Sequence, residues 1–124
     1  MGAGTKEQRE LLKTVQEAYK LHGQAMVPGA STAAIYEKVV SHFAAKGWRK
    51  YFVHHLSHGL GLGGDLPRVV RGDDDRLQAG EALSCELGVY IPGVGGARVE
   101  NMIYGSEQGP EYLTNCLLDP ELGN

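Results

Sequence analysis

Three stretches of this 124-residue chain carry side chains able to hold ions or move protons. The first is His54-His55-Leu56-Ser57-His58-Gly59-Leu60-Gly61-Leu62. A lone histidine is usually a satisfied structural residue. Three in five positions, followed at once by glycines, describe a loop that brings imidazoles and backbone close to a ligand. The second is Leu83-Ser84-Cys85-Glu86-Leu87-Gly88-Val89-Tyr90. Period-two alternation puts Leu83, Cys85 and Leu87 on one face of a strand and Ser84, Glu86 and Gly88 on the other. The third, Ala97-Arg98-Val99-Glu100-Asn101-Met102-Ile103, sets Arg98 and Glu100 on a shared face by the same rule. If the two strands pair as a hairpin, Glu86 and Glu100 lie side by side. Two like charges in that position need a cation. Arg98 could neutralise one glutamate and leave the other in water, or a metal ion could serve both. The histidine segment favours the metal.

The elements that must position these residues are legible in outline. A helix is predicted from Lys6 to Met26, with Thr5 and Gln8 as a capping box and Leu11, Leu12, Val15, Ala18, Tyr19, Leu21, Ala25 and Met26 at helical spacing. Val27-Pro28-Gly29 breaks it. Ser31 or Thr32 caps a second helix to about Ala45, with Ile35, Val39, Val40 and Phe43 inward and Gly47 at its end. From Trp48 the pattern changes. Tyr51-Phe52-Val53 is a short β-prone run, Glu81–Ile91 and Ala97–Tyr104 read as strands, and Tyr112-Leu113-Thr114 as a further one. Val94-Gly95-Gly96 suits a hairpin connection, and Asp73-Asp74-Asp75 reads as a solvated loop. The fold class is α+β, two helices packed on an antiparallel sheet in a single domain over residues 1–124.

Bulk properties narrow the function classes. Hydrophobic residues make up 42% and charged residues 22% of the chain, as in ordinary soluble domains, and the formal net charge of −3 offers no footprint for nucleic acid. No apolar stretch is long enough for a membrane span or forms a signal peptide core, so a cytoplasmic protein is expected. In such a compartment Cys85 and Cys116 read as buried thiols, without the short spacing of a zinc motif.

Taken together, the motifs resemble the C-terminal half of the pita-bread metallopeptidases, closest to the Xaa-Pro aminopeptidases and Xaa-Pro dipeptidases. The resemblance rests on His-x-x-x-His-Gly-Leu-Gly-Leu at 54–62, Leu-Ser-Cys-Glu-Leu-Gly-Val-Tyr-Ile-Pro-Gly at 83–93, Gly-Gly-Ala-Arg-Val-Glu-Asn at 95–101 and Thr-Lys-Glu-Gln-Arg-Glu-Leu at 5–11. It implies that His58, Glu86 and Glu100 are metal ligands and that Glu100 bridges two ions. It also implies that His54 contacts substrate and helps stabilise the tetrahedral centre, and that Arg98 positions the second glutamate. The implied activity is metal-dependent hydrolysis of peptide bonds next to proline. Mn²⁺ is the expected ion, with Zn²⁺ or Co²⁺ as alternatives, because carboxylates with one imidazole suit a hard-to-borderline cation.

The chain also departs from the family pattern. Two aspartate ligands and one further histidine have no counterpart here. Gly63-Gly64-Asp65-Leu66-Pro67 stands where that histidine is expected, Glu86-Leu87-Gly88 replaces Glu-Pro-Gly, and Asn101 stands where aspartate is common. The expectation is therefore an incomplete peptidase module that pairs with a complementary half-fold or with a second copy of itself. The alternative reading is a non-catalytic pita-bread scaffold or a homodimeric metal-binding protein.

Overall fold

The computed structural model describes residues 4–62 and 66–114; Cys116 and the segment 63–65 lie outside them. Helix α1 spans Lys6–Ala25. Its capping box closes in both directions: the Gln8 backbone N–H donates to Thr5 Oγ1 at 3.2 Å, and the Thr5 N–H donates to Gln8 Oε1 at 2.9 Å. Leu11, Val15, Ala18, Tyr19 and His22 form its buried stripe. Helix α2 spans Thr32–Ala45, with Ser31 Oγ accepting from the Ala34 N–H at 3.2 Å. It ends at Gly47, whose φ of +73° is the left-handed cap that glycine adopts without strain.

Residues 51–53 do not form a strand. The chain makes a 3₁₀ turn at Arg49–Tyr51, and the Phe52 ring stacks on Phe43 with centroids 5.6 Å apart. That ring packing takes the residue out of any ladder, while Val53 faces solvent. The sheet that follows has five strands: β1 Ser57–Gly59, β2 Arg68–Val69, β3 Ala82–Ile91, β4 Gly95–Ser106 and β5 Gly109–Tyr112. Their order is β2-β1-β3-β4-β5, and every neighbouring pair is antiparallel.

One face of the sheet carries the core. Leu83, Cys85, Leu87 and Val89 of β3, with Val99 and Ile103 of β4, are buried with Leu11, Val15 and Tyr19 of α1 and Ile35, Val39 and Phe43 of α2. Burying such a side chain contributes roughly 1.5–3 kcal/mol. Helix α1 packs on β3 and β4, and α2 reaches β2. The opposite face has no helix over it among the described residues. The Asp73–Asp75 segment is pinned rather than free: Ser31 Oγ donates to Asp74 Oδ1 at 2.5 Å, and the Asp75 N–H donates to Thr32 Oγ1 at 2.9 Å. Among the described residues no helix is long and apolar enough to cross a membrane.

Candidate metal centre

The open face is built by strand register. Glu86 stands directly opposite Glu100, Gly88 opposite Arg98 and Ser84 opposite Met102. On the other side of β3, His58 pairs with Ser84. Period-two alternation then sends His58, Ser84, Glu86, Arg98 and Glu100 to one surface, and their sequence neighbours Ser57, Cys85 and Val99 to the core. Glycine at 59 is required by close packing: a Cβ there would sit 2.0 Å from the Leu66 carbonyl oxygen. No side chain fits beside that backbone, so the turn after His58 stays tight.

Arg98 lies between the two carboxylates. Its Nη2 contacts Glu86 Oε2 and reaches Glu100 Oε2 at 3.1 Å. The guanidinium therefore offsets both charges, which the sequence left to either Arg98 or a metal. Glu100 Oε1 also accepts from Ser84 Oγ at 3.0 Å. Glu86 is the buried member of the pair, while about half of the Glu100 side chain is exposed. On its other oxygen, Glu86 Oε1 lies 3.3 Å from His58 Nε2. His58 Nδ1 donates to the Gly59 carbonyl at 2.9 Å, which turns Nε2 towards the carboxylate.

His55 was the residue that sequence reasoning missed. Its Nε2 lies 2.5 Å from Glu86 Oε1. His55, His58 and Glu86 each offer one donor atom, and these atoms all lie within 4.8 Å of one another. Glu100 stands one strand further along and is not within that trio. The histidine-rich run signalled an ion-binding loop, but only the path of the backbone shows which histidines face Glu86.

His54 sits at the rim. Its ring packs against Phe52 and Tyr90, with centroids 5.1 Å and 5.7 Å away. Burial pushes its pKa down, with the Arg98 charge adding to the effect and the His55 carbonyl opposing it. Nδ1 donates to that carbonyl at 2.6 Å, and Nε2 is buried without a partner. A neutral ring in this tautomer offers an acceptor to a ligand rather than a donor.

Metal chemistry suits this donor set: two imidazoles and a buried carboxylate on one surface, with a guanidinium behind the carboxylate to hold it. The sequence profile of metallopeptidase family M24 matches residues 1–107. The chain belongs to that family. An Xaa-Pro dipeptidase of Pyrococcus furiosus is 33% identical over 118 residues, covering 92% of this chain and 33% of that protein. The prolidase of Pyrococcus horikoshii OT3 shares the fold with a TM-score of 0.87 and 32% identity, over 93% of this chain and 33% of its own. A dipeptidase of Mycobacterium ulcerans gives 0.89 and 31%, over 96% and 32%. This M24 chain thus spans about a third of the length of the relatives it matches. Its helices and antiparallel sheet are the pita-bread module that the motifs implied.

Proposed function

We propose that this chain is the metal-ligating module of a peptidase that cleaves bonds next to proline. The observation that carries the reading is the opposition of Glu86 and Glu100, joined through Arg98 and flanked by His58. In a complete site, His58, Glu86 and Glu100 would be the ligands this chain contributes. A carboxylate-rich set of that kind suits Mn²⁺. Bound metal supplies Lewis acidity, polarising the peptide carbonyl and lowering the pKa of water.

The chain's own residues do the rest. Arg98 bridges both carboxylates through one guanidinium nitrogen. His54, wedged between Phe52 and Tyr90, is the residue assigned to substrate contact. Leu60 and Met102 line the same cleft as His58 and Glu100, offering apolar contact of the kind a pyrrolidine ring needs. Both are partly exposed, as are Tyr112 and Leu113, which favours a covering partner. That partner would be a complementary half-fold or a second copy. Cys85, a free buried thiol, fits a reducing, cytoplasmic setting.

The test is hydrolysis of an Xaa-Pro dipeptide by the chain, alone and mixed with the part of the Pyrococcus furiosus relative that it does not match. The expected result is Mn²⁺-dependent cleavage of Xaa-Pro but not Xaa-Ala substrates, lost in Glu86→Gln. Complex formation without hydrolysis of either substrate would overturn the reading.

A further inference from the structure

We propose that His55, His58 and Glu86 form a single-ion site that this chain completes by itself, selective for Zn²⁺ or Co²⁺ over Mn²⁺. The site uses the same surface as the peptidase reading but does not depend on it. It needs neither Glu100 nor any residue from a partner.

Backbone hydrogen bonds fix the placement of His55. The segment before β1 is held on both sides: the Leu56 N–H donates to the Val69 carbonyl at 2.8 Å, and the Glu86 N–H donates to the Leu56 carbonyl at 2.9 Å. Leu56 itself is fully buried and anchors this stretch in the core. His55 is thereby held beside Glu86, and its ring stands at 81° to that of His58 with centroids 5.5 Å apart. Two imidazoles set edge to face above one carboxylate oxygen make three converging donors on one side of an open position.

One donor spacing already matches a small cation, and all three donor atoms lie within 4.8 Å of one another. With ligand bonds of about 2.0–2.1 Å at tetrahedral angles, donor atoms lie roughly 3.3 Å apart. His58 Nε2 and Glu86 Oε1 are already 3.3 Å apart. His55 Nε2, at 2.5 Å from the same oxygen, has to withdraw by roughly 0.8 Å to reach that spacing. Its side chain is 38% exposed, so the ring has room to turn.

The orientation of each donor is already supported. With His58 Nδ1 committed to the Gly59 carbonyl, Nε2 is the ring atom that faces the carboxylate oxygen and can share a cation with it. On the far side, Arg98 contacts Glu86 Oε2 and leaves Oε1 to the histidines. A hydrogen-bonded imidazole and a hydrogen-bonded carboxylate are the outer supports that metal ligands use. Two nitrogens and one oxygen make a softer set than carboxylates with a single imidazole. Along the divalent series such a set binds Mn²⁺ more weakly than Co²⁺ or Zn²⁺.

The experiment is calorimetric titration of the full chain with Zn²⁺ and with Mn²⁺, and of the His55→Ala, His58→Ala and Glu100→Gln variants. Circular dichroism verifies that each variant is folded. The expected result is one Zn²⁺ per chain, bound more tightly than Mn²⁺. Affinity should fall by about 100-fold or more in either histidine variant, since even outer supports carry 10–100-fold. Zn²⁺ affinity unchanged in His55→Ala but lost in His58→Ala and Glu100→Gln would overturn the proposal, while leaving the peptidase ligand set intact. No binding by the folded wild-type chain would also overturn it. If the Co²⁺-loaded wild type shows visible absorption that His55→Ala lacks, the same assignment is supported independently.

Discussion

The two faces of the sheet hold similar side chains and differ in what those side chains can do. Ser57 and His58 are consecutive in β1, yet they belong to opposite worlds. Ser57 turns inward, where its Oγ lies 2.8 Å from His22 Nε2 and 3.4 Å from Cys85 Sγ. A serine in contact with both a histidine and a cysteine has the composition of a nucleophilic site. All three are completely buried, however, and His22 is held neutral with its pKa pushed down to about 3 by burial. Burial likewise pushes the Cys85 thiol up to about 12. His58 turns outward to Glu86 on a surface that no described element covers. What separates a structural cluster from a candidate site is access and paired charge, not residue type.

This comparison can be broken by moving a charge across the sheet. Cys85→Asp would bury a carboxylate in a sealed core with no cation beside it among the described residues, and the folded state should be lost outright, as read by circular dichroism. A folded Cys85→Asp chain would show that the inner face is not sealed. Next in size, His22→Ala should lower stability by about 2–4 kcal/mol in denaturant unfolding, through the cavity left beside Ser57 and Cys85. Zn²⁺ affinity should be nearly unchanged in the same protein. Coupled loss of both would mean that the inner cluster positions the outer one.

The low pKa of His22 gives the comparison a pH dependence. The folded state holds this imidazole neutral down to about pH 3, whereas the unfolded chain takes up a proton near 6.5. Stability from this residue is complete above the unfolded pKa and declines as pH falls from 6.5 towards 3, by roughly 1.4 kcal/mol per pH unit. Unfolding curves at pH 7 and pH 5 should therefore separate in the wild type and move closer together in His22→Gln. The depressed pKa of His54 acts in the same direction, so the variant should keep a smaller residual dependence. The smallest effect belongs to the open face. Glu100 is about half exposed, and Glu100→Gln should alter the unfolding midpoint by no more than the equivalent of about 0.5 kcal/mol. A large destabilisation there would give Glu100 a structural role that its exposure does not suggest.

Much of this architecture was legible in the residues, and the parts that were not have identifiable causes. The capping box at Thr5 and Gln8 and the apolar stripe from Leu11 to Met26 are local patterns, and α1 follows them to Ala25. Alternation in β3 and β4 put Glu86 and Glu100 on one face, and the hairpin register sets them directly opposite each other. The β-prone run at 51–53 misled because Phe52 is drawn into a ring cluster with Tyr36 and Phe43, a contact that no local pattern encodes. Strands β1 and β2 are only three and two residues long. They exist because β3 offers them an edge. The placement of His55 beside Glu86 depends on that same long-range pairing, which is why the family resemblance pointed to His58 and Glu100 but not to the histidine that stands closest to the buried carboxylate.

The two histidine clusters also explain why the comparison with Xaa-Pro dipeptidases extends to the fold of the module while its own site needs direct study. Family membership accounts for the helices, the sheet and the outward-facing carboxylates. Arg98 takes one oxygen of the Glu86 carboxylate and the imidazoles take the other, so Glu86 divides the open face into a guanidinium side and an imidazole side.

The most direct test of this division is anomalous diffraction at the zinc edge from crystals of the chain grown with Zn²⁺. The account predicts one strong peak within coordination distance of Glu86 Oε1 and His58 Nε2, on the side away from Arg98. No peak on the open face, or a peak seated only among Asp73, Asp74 and Asp75, would contradict it.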